Sequence, residues 1–127
     1  MTYAFFNAVL RDYARFGRLL AHDGLWEGRQ LIPRQWVLDA TTVRPGDAYL
    51  VPGVATRFLR DGYGYQVWIE PSSERRFVLR GIHGQFIFID PASKLVMVHT
   101  AVRHKPNDPA NAETRALWHA VVQQLGN

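Results

Sequence analysis

Four short apolar segments, 63–70, 76–82, 85–89 and 95–102, follow one another in the second half of the chain, separated by links too short for a crossover. Pro71-Ser72-Ser73-Glu74 and Asp90-Pro91-Ala92-Ser93 are turns of a few residues. A parallel connection needs about a dozen residues or more, so neighbouring strands have to run antiparallel. The segments suit strands because they are aromatic and β-branched, Val-rich in the last and strongly apolar in the third.

Helical patterns stand on both sides of these strands. Leu10, Tyr13, Ala14, Gly17, Leu20 and Ala21 recur at helical spacing, Arg11, Arg15 and Arg18 lie on the opposite side, and Asp23-Gly24 supplies a stop. Phe16 and Leu19 widen the apolar face, which predicts burial on more than one side. Residues 25–32 read as a hairpin-like excursion around Gly28, and Pro33 opens a short second helix through Thr41. Pro45-Gly46-Asp47, Pro52-Gly53 and Asp61-Gly62 make 42–62 a long loop that could face a substrate. Asp108-Pro109 starts a last helix with Ala116, Leu117, Ala120, Val121 and Leu125 as one face, ending at Gly126. The expected architecture is α/β of the α+β type, an antiparallel sheet flanked by helices. With 127 residues, 47% of them apolar, and no repeat, a single domain over 1–127 can bury a core.

Charge and composition exclude several function classes. The formal net charge of +4 comes from scattered Arg with only Lys94 and Lys105 beside them, so no basic cluster forms and no nucleic-acid partner is expected. No apolar run is long enough for a membrane helix, and the first residues, Met1-Thr2-Tyr3-Ala4-Phe5-Phe6-Asn7, lack the pattern of a signal peptide. A soluble chain without a targeting segment is the expectation, its localisation otherwise open. Without Cys there are no disulfides or thiolate ligands, and the five His residues show no i, i+4 pair beside a carboxylate. Neither a metal site nor a cofactor is expected.

The stretch from Arg80 to Pro91 is the strongest candidate for chemistry, because a glycine-punctuated turn running into an apolar strand lets bare backbone N–H groups face a developing negative charge. A nucleophile is harder to find. The serines are Ser72, Ser73 and Ser93, and the residues three further on are Arg75, Arg76 and Val96, so no S-x-x-K occurs. No Tyr is followed by x-Asn, and no Lys-Thr-Gly is present. Ser93 with His83 or His99 and Asp90 would be the remaining triad, without a G-x-S-x-G elbow around any serine. The aspartates, Asp61 and Asp90 among them, mostly stand at turns or helix starts, where a carboxylate serves local N–H groups.

Several motifs in register nevertheless resemble one family. Residues 6–17, with Arg11-Asp12-Tyr13-Ala14-Arg15-Phe16-Gly17, then 24–33 and Trp36-Val37, are similar to the late part of serine hydrolases of the β-lactamase superfamily, in the class C, esterase and 6-aminohexanoate-dimer hydrolase branch. Gly62-Tyr63-Gly64-Tyr65-Gln66-Val67-Trp68, Gly81-Ile82-His83-Gly84-Gln85 through Asp90-Pro91, and Leu95-Val96-Met97-Val98 continue the likeness in the same order. The resemblance implies the C-terminal portion of a β-lactamase/transpeptidase-like fold, with the serine, lysine and tyrosine of catalysis in an earlier part of the sequence.

By that likeness the family's Lys-Thr-Gly strand falls at Leu79-Arg80-Gly81, matching only at the glycine, and Gly81 and Ile82 are the backbone oxyanion side. A frame centred on His83, Gly84 and Gln85 is the alternative and would make those three substrate-binding. Read without the family, Gly84 is a strand kink or a point of close packing and Gln85 simply opens a buried strand. Relatives carry Ser or Thr where Val9 stands, so Asn7 is the substitute cap of the first helix. The likeness implies an ester or amide small-molecule substrate in the complete enzyme, an isolated chain without activity, and self-association to cover apolar surface. The competing expectation is a stand-alone non-catalytic binding or oligomerisation module built on Tyr49, Phe58, Tyr63, Tyr65 and Trp68.

Overall fold

A computed structural model describes residues 6–54, 60–106 and 108–126. Helix α1 (Leu10–Ala21) leads into the small hairpin of β1 (Leu25–Trp26) and β2 (Arg29–Gln30), followed by α2 (Arg34–Thr41). Strands β3 (Gly62–Gly64), β4 (Val67–Ile69), β5 (Phe77–Arg80), β6 (Phe86–Asp90) and β7 (Leu95–His99) come next, and α3 (Ala110–Leu125) ends the order. The five longer-range strands form one sheet in sequence order, antiparallel at every pairing, as the short turns require. The α+β architecture read from the sequence is the one observed.

The expected strand over 63–70 is two strands. Tyr65 and Gln66 both take left-handed backbone, φ 49° and 71°, and reverse the chain between β3 and β4. Two such residues are the signature of a tight hairpin turn, normally Asn-Gly or Asp-Gly, and Tyr-Gln carries no such mark. Two further strands are shorter than expected: β5 stops at Arg80 and β7 at His99. Helix α1 begins after Val9, whose carbonyl accepts from Asp12 and Tyr13 N–H at 2.9 and 3.1 Å and whose apolar side chain cannot cap it. The N-cap position is thus Val9 rather than Asn7, and Asp12 in the first turn complements the exposed N–H groups.

The sheet is covered on both sides. Leu20 and Ala21 of α1, Val37 and Ala40 of α2, and Val67, Phe77, Ile87 and Ile89 of the sheet form one cluster. Close approach of α1 depends on Gly17, since a Cβ there would come within 2.5 Å of Val96 Cγ1 and 2.9 Å of Ile87 Cγ2. The opposite cluster joins Val78, Phe86 and Phe88 to Trp118 and Val122 of α3. Strand β6 lies between the two, so all five of its residues are buried.

Helix α3 is turned away from its expected face. Its buried residues are Thr114, Trp118 and Val122, whereas Leu117 and Leu125 are 55% and 65% exposed. Trp118 decides the phase: it is fully buried, stacks on Phe88 at 5.5 Å between ring centres, and donates its indole N–H to Glu70. Among the described residues no helix is long and apolar enough to cross a membrane. The first five residues, on which the signal-peptide reading partly rests, and Phe58 of the expected aromatic set lie outside the described residues.

Candidate functional site

The antiparallel register gathers the ends of β3, β5 and β7 and the starts of β4 and β6 at one end of the sheet. The Gly81–Gln85 turn stands there, between β5 and β6. Gly81 N–H donates to the Gln85 carbonyl at 2.8 Å and closes the turn. Gln85 then folds its side chain back: its Oε1 accepts from His83 N–H at 3.1 Å, and its Nε2 donates to the Ala101 carbonyl at 2.7 Å. Ile82 is at the tip, 61% exposed, and its N–H has no hydrogen-bond partner among the described residues.

The segment after β7 braces this turn from the side. Arg103 N–H donates to the His83 carbonyl at 3.0 Å, and the Arg103 carbonyl lies 2.7 Å from His83 Nδ1. His99 Nδ1 lies 2.9 Å from the Gly84 carbonyl. Gly84 is buried with φ +90°, and a Cβ there would meet Arg103 Nε at 2.6 Å, so both conformation and space demand glycine. Arg103 runs on to the Thr114 hydroxyl at 2.8 Å and to Asp108 at 3.6 Å, tying the turn to α3. Close packing thus accounts for Gly84, and Gln85 is a clasp within the turn.

Just outside the Gly62–Ile69 pair, toward the other end of the sheet, lies a buried ionic group that the placing of aspartates at turns does not reveal. Arg115 of α3 donates to Asp61 at 2.9 Å and to Glu70 at 2.9 Å, and both carboxylates are nearly inaccessible. Arg80 reaches Asp61 at 3.4 Å and lies over the Trp68 ring, 5.0 Å from its centre. Burial raises the Glu70 pKa from 4.5, against the Trp118 hydrogen bond and the Arg115 charge, which pull it down. Burial likewise lowers that of Arg80, with Asp61 opposing. The sequence signal was available only as an Arg on a helix whose buried partners sit 45 and 54 residues away.

The Ser-His-Asp grouping is not assembled. Asp90 pairs with Leu95 and Phe86 pairs with His99, so Asp90 and His99 mark opposite ends of the β6–β7 hairpin. Four steps at about 3.4 Å put them about 14 Å apart, with Ser93 at the far turn and His83 at the near end. Ser93 Oγ is buried without a hydrogen-bond partner among the described residues, while Asp90 is paired with Arg76 at 3.0 Å. No three His, Cys, Asp or Glu side chains come together as a metal-holding group among the described residues.

Known proteins share the sequence pattern and the fold. A 6-aminohexanoate-dimer hydrolase of Paenarthrobacter ureafaciens is 28% identical over 92 residues, 72% of this chain and 24% of that protein. The solved structure of a Bacillus anthracis protein given the same name matches with a TM-score of 0.77 and 30% identity, over 94% of this chain and 29% of that one. The chain therefore spans about a quarter of the length of these relatives. Residues 3–122 match the β-lactamase family, and with the five-stranded sheet and its flanking helices this places the chain in that family.

Proposed function

We propose that the chain is the C-terminal portion of a serine hydrolase, one domain over 1–127, that supplies the oxyanion-side strand for cleavage of an ester or amide through an acyl-serine. The observation that carries this is Ile82, exposed in the turn after β5 with no hydrogen-bond partner for its N–H among the described residues. In the complete enzyme a serine hydroxyl gives its proton to a neighbouring base as its oxygen bonds to the substrate carbonyl carbon, and negative charge gathers on the carbonyl oxygen. The bond to the leaving alcohol or amine then breaks with a proton passing to that group, and water later cleaves the acyl-serine. Ile82 presents its N–H to the oxyanion, while Gly81, whose own N–H is held by the Gln85 carbonyl at 2.8 Å, sets the turn that aims it; one such donor typically changes turnover by about 10²–10³-fold. The frame centred on His83, Gly84 and Gln85 is less favoured, because the His83 N–H is already held by Gln85. Those three residues then shape the turn next to the substrate.

The chain by itself has no serine in S-x-x-K, so it is inactive, and its exposed apolar side chains, Leu117 and Leu125 among them, favour self-association. A fluorophosphonate or penicillin probe followed by intact mass measurement should leave the chain unmodified. A covalent adduct mapped to any residue here would sink the proposal, and a monodisperse monomer by light scattering would remove the self-association part.

A further inference from the structure

Four tryptophans are present, and three are spoken for. Trp118 is buried against Phe88, Trp26 lies under Arg18 at 5.2 Å, and Trp68 lies under Arg80. Trp36 on α2 is 45% exposed and, among the described residues, touches one other ring, Tyr65, itself 56% exposed, with centroids 5.8 Å apart and planes at 57°. No cation covers either ring, and the Tyr65 hydroxyl makes no hydrogen bond, among the described residues.

Tyr65 is held in this place against its own backbone preference. Left-handed backbone costs a non-glycine residue roughly 1–2 kcal/mol, and Tyr65 and Gln66 both adopt it. A glycine in the turn would relieve the strain, yet a tyrosine stands there with its ring against Trp36; strain held at such a position points toward use. The scaffold beneath is firm: Tyr63 N–H donates to the Tyr49 carbonyl at 2.6 Å, and the Tyr63 and Trp68 rings meet at 4.6 Å. The register puts this turn at the same end of the sheet as the Gly81–Gln85 turn, since β4 starts where β5 ends.

We propose that Trp36 and Tyr65 form an aromatic subsite for the uncharged aryl or alkyl acyl part of a substrate whose carbonyl is handled at Ile82. The inference rests on the functional reading above for the carbonyl and on the ring pair alone for the acyl group. Open aromatic faces without a charged partner suit planar or extended apolar groups.

The test is a titration of the ¹⁵N-labelled chain with N-methylbenzamide, an uncharged amide whose aryl group is on the acyl side, followed by NMR at the Trp36 indole N–H and the Ile82 amide. Saturable shifts of the Trp36 signal are expected, with affinity falling up to about tenfold in Trp36→Ala and in Tyr65→Ala. Tyr65→Ala removes an exposed ring and serves if the tryptophan variant does not fold, which signal dispersion reports. A Trp36 signal that does not move, or binding unchanged in a folded variant, overturns the subsite. Shifts at Ile82 that ignore both variants would do the same while leaving the oxyanion reading intact. Shifts at Trp36 without any at Ile82 would support the subsite and count against that reading.

Discussion

Against α1 and α2 the sheet meets a layer of Leu, Ala, Val, Ile and Phe, with a glycine drawn in close, whereas against α3 it meets Trp118 and, at one margin, two carboxylates and two arginines. The first surface owes its stability to apolar area and fit. The second adds buried charges whose desolvation cost is offset only while every partner is in place. Perturbation should therefore be felt differently on the two sides: as a graded loss of packing on one, and as the failure of a linked group on the other.

The largest expected effect is Trp118→Ala. Truncating a fully buried tryptophan costs about 3–5 kcal/mol in itself. Here it also removes the 2.7 Å donor to Glu70, so urea denaturation should show most of the domain's stability gone. A loss no greater than that of an exposed aromatic would mean that α3 is not docked as described. On the other face, Gly17→Val forces methyl groups into space that Val96 and Ile87 already occupy, which should cost about 1–3 kcal/mol in the same measurement. If the variant is as stable as the parent, α1 does not approach β6 and β7 closely, and the contrast between the faces weakens.

How much of this could be read from residue order differs in the same way. Helix α1 was legible because Tyr13, Gly17, Leu20 and Ala21 follow the helical period and face the core, so pattern and environment agree there. Helix α3 was legible as a helix but not in its phase: its apolar stripe through Leu117 and Leu125 is exposed, and one large ring with a hydrogen-bonding N–H outweighs several smaller side chains. The β3–β4 reversal was hidden because Tyr65 and Gln66 lack the residue types that announce left-handed backbone. At the candidate site the glycine spacing pointed to Gly81–Gln85 correctly as a turn. The clasp made by Gln85 and the brace from Arg103 depend on residues 16 and 20 positions apart, which no local pattern carries. Asp61 and Glu70 were obscured for the same reason, each being ordinary where it stands in sequence.

The finest distinction between the faces is their response to pH. Glu70 binds its proton more tightly in the folded chain than in the unfolded one, because burial disfavours its charged form more than Trp118 and Arg115 favour it. Stability from this group is then complete below its ordinary value of 4.5 and is lost as pH rises through the higher folded value. In Glu70→Gln the group no longer titrates, while the side-chain oxygen can still accept from Trp118. The stability of the parent minus that of Glu70→Gln should consequently fall as pH is raised from about 4 to about 7, other carboxylates cancelling in the difference. The effect is the smallest of the three, since Arg115 at 2.9 Å opposes the cause. A difference that rises with pH would show the Arg115 pairing to outweigh burial, and the α3 margin would then behave as a net stabilising ion pair rather than as a group whose charge the fold tolerates.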